Sequence, residues 1–146
     1  MNKELVIKQE EQLRFKKFNN RDALTIAMSI IERAENEGLK PIGIKVVYNG
    51  SLIFHYLMDG KNDSPWLDRK VKTVLESGHC SLYTYYHYEE KEEYQIWAKS
   101  EEYAVCGGGF PIIEGDEVKG AFCVSGLDHM EDHCMITEAL ENYLMK

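Results

Sequence analysis

The chain lacks the features that mark several large protein classes. It has no run of about 18 apolar residues, which excludes an ordinary membrane-spanning helix. It has no basic stripe: 17 Lys and Arg stand against 25 Asp and Glu, a net charge of −8. An acidic surface repels phosphate backbones and anionic lipid headgroups, so neither nucleic acid nor a membrane is expected as a partner. The first 17 residues spread their charges throughout and offer no apolar core for a signal peptide, so a cytoplasmic location is expected. The four cysteines form no CxxC pair, which excludes the common zinc and dithiol spacings; four free thiols are expected, three of them packed as small hydrophobes. There are only three prolines and no repeat, low-complexity tract or linker. One domain over 1–146 is expected.

Hydrophobic periodicity supplies the elements. Residues 1–18 carry a thin apolar stripe (Leu5, Val6, Leu13), consistent with a marginal helix. Asn19 or Asn20 can cap a helix through Ala23, Ile30 and Ala34 that stops at Gly38. Two strands, Ile42 to Tyr48 and Ser51 to Met58, flank Asn49-Gly50, a strong hairpin signal. Ser64 can cap a helix whose first residue is Pro65 and which ends at Gly78. The tyrosine-rich run Cys80 to Tyr88 reads as a strand, as do Tyr94 to Ala98 and Tyr103 to Cys106 more weakly. A second hairpin joins Phe110–Ile113 to Val118–Ser125, and a last helix runs from about Asp128 to Leu144. This order predicts an α+β fold, a mostly antiparallel sheet with helices against it.

Several motifs carry chemistry. Gly107, Gly108 and Gly109 permit a tight bend or close approach of a ligand. Ser125 and Gly126 run straight into the last helix, whose first N–H groups can bind a carboxylate or phosphate; simple capping by Ser125 or Asp128 is the competing reading. His129 and His133 share a helical face and can hold a metal, although two ligands do not make a site. Asp132 and His133 can act as acid–base groups. His55 can serve as an axial haem ligand, or sit in the core as a satisfied histidine. Arg69 and Lys70, beside Trp66, can bind an anion such as a propionate; the alternative is Trp66 in the core and two surface cations. Cys106 is a candidate nucleophile without an adjacent base. The tyrosines from Tyr83 to Tyr88 can line a pocket for a flat ring.

The segments Cys106–Ile112 (CGGGFPI), Gly120–Leu127 (GAFCVSGL) and Asp132-His133 resemble the haem-degrading-domain family, which includes GlcG-like and HbpS-like proteins. Phe54-His55-Tyr56, Gly60 and Trp66–Lys70 extend the resemblance to an uncharacterised branch of it, over about residues 20 to 144. In that branch a histidine often precedes the glycines; here the position is Cys106. The resemblance implies a profilin-like or PAS-like sheet of about five strands, a homo-oligomer, and a small ligand. That ligand would be haem, another tetrapyrrole or an anion, near Gly107–Gly109, Phe110, Pro111, Ser125 and Gly126. A small enzyme and an oligomeric adaptor are the alternatives.

Overall fold

The computed structural model describes residues 1–145. The chain forms α1 (Lys3–Gln12), α2 (Asn20–Asn36), β1 (Gly43–Tyr48), β2 (Ser51–Leu57), α3 (Trp66–Ser77), α4 (Ser81–Tyr86), a 3₁₀ turn (Tyr88–Glu90), α5 (Glu92–Ala98), β3 (Gly109–Glu114), β4 (Glu117–Ser125) and α6 (His129–Leu144). The four strands pair antiparallel in the order β2-β1-β4-β3. The α+β class and the helix-flanked antiparallel sheet match the sequence expectation; the sheet has four strands rather than about five.

The alternation of strand side chains builds two different faces. Ala121 and Cys123 meet Leu67 and Val74 of α3 on one side. Ile44, Val46, Phe110, Phe122 and Val124 pack with α2 and α6 on the other, as Ile26, Ile30 and Ile136 show. Full burial of such side chains contributes about 1.5–3 kcal/mol each. The sheet is therefore covered on both sides, except along its β2 edge, where Leu52 and Tyr56 are exposed.

Local signals explain most element ends. Asn19 and Asp22 form a reciprocal capping box at the start of α2. Asn49 and Gly50 both adopt positive φ in the β1–β2 turn. Gly78 closes α3 in the left-handed conformation. The start of α3 differs from expectation: Pro65 occupies the cap position, the helix begins at Trp66, and no side chain caps it. The N-terminal helix is short but anchored, because Glu10 of α1 is buried and accepts the Cys80 N–H at 2.9 Å.

The tyrosine-rich strand expected over Cys80–Tyr88 is instead α4. The decisive periodicity is four: the rings of His79, Tyr83 and His87 stack successively at 3.7 and 3.8 Å. Tyrosine's preference for strands is thus overridden by packing. Tyr94–Ala98 is also helical, burying Tyr94 and Trp97 at a spacing of three. Tyr103–Cys106 is not a strand either. Side chains of α3 satisfy its backbone: Arg69 Nε donates to the Tyr103 carbonyl at 2.7 Å, and the Ala104 N–H donates to Thr73 Oγ1 at 2.8 Å.

Candidate functional site

The β4 strand ends at Ser125, α6 begins at His129, and the glycine turn leads into β3, so all three meet at one end of the sheet. The first turns of α3 lie across this junction. Lys70 of α3 extends its Nζ to the Val124 carbonyl at 2.8 Å and to Asp132 Oδ2 of α6 at 3.2 Å. Both side chains of the pair are 3% exposed. Asp132 Oδ1 accepts the Leu127 N–H at 3.0 Å, which ties the start of α6 to the same carboxylate. Burial raises the Asp132 carboxyl above its ordinary range, and the nearby Lys70 charge opposes that shift in part.

The glycines make room for this pair. A Cβ on Gly108 would lie 2.4 Å from Lys70 Nζ and 2.6 Å from the Val124 carbonyl oxygen, and its φ of +119° suits glycine alone. A Cβ on Gly107 would fall 2.3 Å from the His129 carbonyl oxygen. The turn is held by the Gly107 N–H donating to His129 Nδ1 at 2.9 Å, and by the Gly109 N–H donating to Ser81 Oγ at 2.9 Å.

Lys70, Asp132 and His129 border a cleft of about 330 Å³ that is also lined by Trp66, Cys106 and Ser125, with Lys61, Gly126 and Leu127 completing the wall. Gly107, Gly108 and Gly109, expected at the ligand, are buried and do not line it. An ammonium has three N–H donors. Lys70 spends two on Val124 and Asp132, which leaves one for the cleft. Ser125 is 5% exposed, it lines the cleft, and its hydroxyl has no partner among the described residues. Because the His129 Nδ1 accepts a backbone N–H, the neutral imidazole carries its proton on Nε2 and acts as a donor there. Asp128, not Ser125, caps α6, accepting the Met130 N–H at 3.3 Å. Burial raises the Cys106 thiol above its ordinary range, which favours the neutral thiol.

Of the other sequence candidates, Trp66 borders the cleft and the rest lie elsewhere. His55 is exposed on the edge strand β2, not in the core, and does not border the cleft. His133 is fully buried and does not border it either. Its Nε2 meets Gln9 Oε1 at 2.7 Å, its Nδ1 is buried without a partner among the described residues, and burial lowers its pKa to about 4, so it is neutral at pH 7. No group of three or more metal-ligating side chains is assembled among the described residues. Trp66 is exposed rather than core, with the Arg69 guanidinium 3.9 Å from its ring centroid. Phe110 is wholly core, and Pro111 is buried in β3. Sequence reasoning missed Ser81, Gln9 and Lys61. Ser81 acts on a residue 28 positions away and Gln9 on one 124 away, and no local pattern announces such partners.

Residues 18–141 match the model of a family described as haem degrading protein HbpS-like. The chain belongs to the HbpS-like family. Among its relatives, a UPF0303 protein of Psychromonas ingrahamii is 33% identical over 142 residues, covering 93% of this chain and 89% of the relative. A UPF0303 protein of Schizosaccharomyces pombe is 31% identical over 150 residues, covering 96% and 82%. The crystal structure of the Ybr137w protein superposes with a TM-score of 0.85 at 29% identity, over 97% of this chain and 87% of that one. The PduOC:haem complex shares the fold at 16% identity, with a TM-score of 0.72 over 84% and 92% of the two chains.

Haem is the cofactor such a family suggests, and the cleft can be tested against it. An axial histidine must offer a lone pair to iron. His129 is the histidine that borders the cleft; its Nδ1 lone pair is taken by the Gly107 N–H and its Nε2 carries the proton. The cleft therefore supplies no histidine ligand for iron. Its donors, Lys70, Ser125 and His129, fit a carboxylate.

Proposed function

We propose that this HbpS-like protein binds a small carboxylate-bearing molecule in the Lys70 cleft, with haem or another tetrapyrrole as the ligand class its family points to. The single observation that carries this reading is the Ser125 hydroxyl. It is unpartnered on a nearly buried residue, and it shares the cleft with a buried ammonium that has one donor left over. A ligand carboxylate that accepts from both the Ser125 hydroxyl and the spare Lys70 N–H replaces water there with charge-assisted hydrogen bonds, which favours such a ligand. Lys61 at the cleft wall adds a positive charge beside the neutralised Lys70–Asp132 pair, which favours an anion. A tetrapyrrole would be held by its propionate rather than through a histidine on its iron.

The test is a haemin titration followed at the Soret band on the wild type, Ser125→Ala and His55→Ala. Saturable binding is expected, weakened about tenfold by Ser125→Ala, since hydrogen bonds to charged groups contribute about 1.5–3 kcal/mol. His55→Ala is expected to leave it unchanged. Loss of binding in His55→Ala with full retention in Ser125→Ala would overturn the assignment.

A catalytic reading rests on the same cleft, where Asp132, with its raised carboxyl, could exchange a proton with a bound ligand. His133 is withdrawn from that role by its burial and its bond to Gln9. Turnover of a bound tetrapyrrole that Asp132→Asn abolishes without loss of binding would support it. We also propose that the chain works as a homo-oligomer. The β2 edge carries exposed Leu52 and Tyr56 with unpaired backbone groups, a surface that favours association. Sedimentation at micromolar concentration tests this, and a monomer would contradict it.

A further inference from the structure

The Lys70 cleft uses none of the tyrosines that crowd positions 83–88. Three of them, Tyr85, Tyr86 and Tyr88, border a separate cavity of about 560 Å³, together with Lys3, Glu89 and Glu90. The helix α4 turns Ser81, Leu82 and Thr84 into the interior. That leaves Tyr85 44% and Tyr88 38% exposed, a cluster of large rings that the core does not claim. Grouped exposed aromatics mark binding sites more often than idle surface.

The walls of this cavity are ordered. Tyr85 and Tyr86 meet edge to face, with centroids 5.4 Å apart and planes at 76°, so the two rings form a corner. Tyr86 is anchored by its hydroxyl, 3.5 Å from Met130 Sδ of α6. The Gln95 amide donates to the backbone carbonyls of Tyr88 at 3.1 Å and Glu89 at 3.4 Å, fixing the 3₁₀ turn that carries both.

The charge at the cavity is negative. Lys3 is already paired with Glu90. The Glu89 carboxylate has no side-chain partner among the described residues, so two carboxylates stand against one ammonium. A ligand anion would meet an uncompensated carboxylate, and a neutral molecule would gain nothing from it. Tyrosine rings present a negative quadrupole to a cation, and the acidic chain raises the local concentration of cations.

We propose that the tyrosine cavity binds a small organic cation with an alkylated ammonium head. The aromatic wall of Tyr85, Tyr86 and Tyr88 receives the alkylated nitrogen, and Glu89 neutralises it from the rim. The site is distinct from the carboxylate cleft, which it meets through the Tyr85–His129 ring contact.

The probe is choline, titrated by calorimetry against its neutral carbon isostere, dimethylbutanol. Tyr88→Leu and Glu89→Gln are the variants, each checked for an unchanged thermal midpoint. Tyr85 is left alone because its ring also packs against His129 at 4.9 Å. Choline is expected to bind saturably and at least about fivefold more tightly than the isostere, and each variant is expected to lose about fivefold in affinity. Ser125→Ala, in the other cleft, is expected to leave choline binding unchanged, and a loss there would move the cation out of the tyrosine cavity. Equal binding of the two probes would reduce the cavity to an apolar hole and overturn the proposal. Absence of saturable choline binding, or binding that survives either cavity substitution, would overturn it as well.

Discussion

Lys70 of α3 and Asp132 of α6 meet at 3.2 Å with both side chains 3% exposed, although 62 residues separate them in the chain. This contact joins the helix layer on one face of the sheet to the start of the helix on the other. The Leu127 N–H on Asp132 Oδ1 and the Val124 carbonyl on Lys70 Nζ complete the join.

Breaking one side of a buried pair leaves the other charge uncompensated, at a cost of about 3–5 kcal/mol. Lys70→Met is therefore expected to destabilise the fold strongly, and Asp132→Asn less so, since an amide oxygen can still accept the Leu127 N–H. The double variant Lys70→Met/Asp132→Asn is expected to be more stable than Lys70→Met alone. Denaturant midpoints measure all three, and simple additivity of the two losses would contradict the pairing.

The glycine turn yields a contrast between two glycines of positive φ. Gly108→Ala must both strain the backbone and displace Lys70 Nζ, so a loss of at least about 3 kcal/mol is expected. Gly38 has nothing within 4 Å of the place an added Cβ would take, so Gly38→Ala is expected to cost only about 1 kcal/mol. Similar losses at the two positions would mean that the close approach at Gly108 is not maintained in solution.

His133 gives a signed pH dependence. Its folded value of about 4 lies below the ordinary 6.5, so the folded state holds fewer protons between those limits. The neutral form's stabilisation is complete above about pH 6.5 and is lost as the pH falls towards 4, by about 3 kcal/mol. Asp132 has the opposite sign, because its raised carboxyl favours the folded state as the pH falls. In His133→Leu the stability difference between pH 7 and pH 4 is expected to shrink by about that amount. Parallel pH profiles for wild type and variant, followed by chemical denaturation, would contradict the burial argument.

Much of the scaffold was legible in the sequence because its signals are local. The Asn19 cap, the Asn49-Gly50 turn, the Gly78 stop and both hairpins follow from residues within a few positions of one another. The helices α4 and α5 read as strands in the sequence because tyrosine's strand preference outweighs the four-residue spacing of His79, Tyr83 and His87 and, in α5, the three-residue spacing of Tyr94 and Trp97. The site was half legible. The glycines, Lys70, Ser125 and Asp132 stand out as motif residues, but nothing in their spacing says that Lys70 reaches Asp132. His55 lay in a motif yet sits on an exposed edge, because strand alternation cannot say which strand ends the sheet.

Ser125 separates binding from stability. Its hydroxyl has no partner to lose among the described residues, so Ser125→Ala is expected to leave the thermal midpoint of the ligand-free protein unchanged or slightly higher. A fall of several degrees would place the hydroxyl in the scaffold and not in the binding site.

The most direct test of the central claim compares haemin with its dimethyl ester in equilibrium titrations of the wild-type protein. The ester keeps the iron and the ring but removes both carboxylates. Recognition through Lys70 and Ser125 requires saturable binding of haemin and a loss of at least about tenfold for the ester. Equal affinity for the two, or saturable binding of the ester alone, would contradict carboxylate recognition in this cleft.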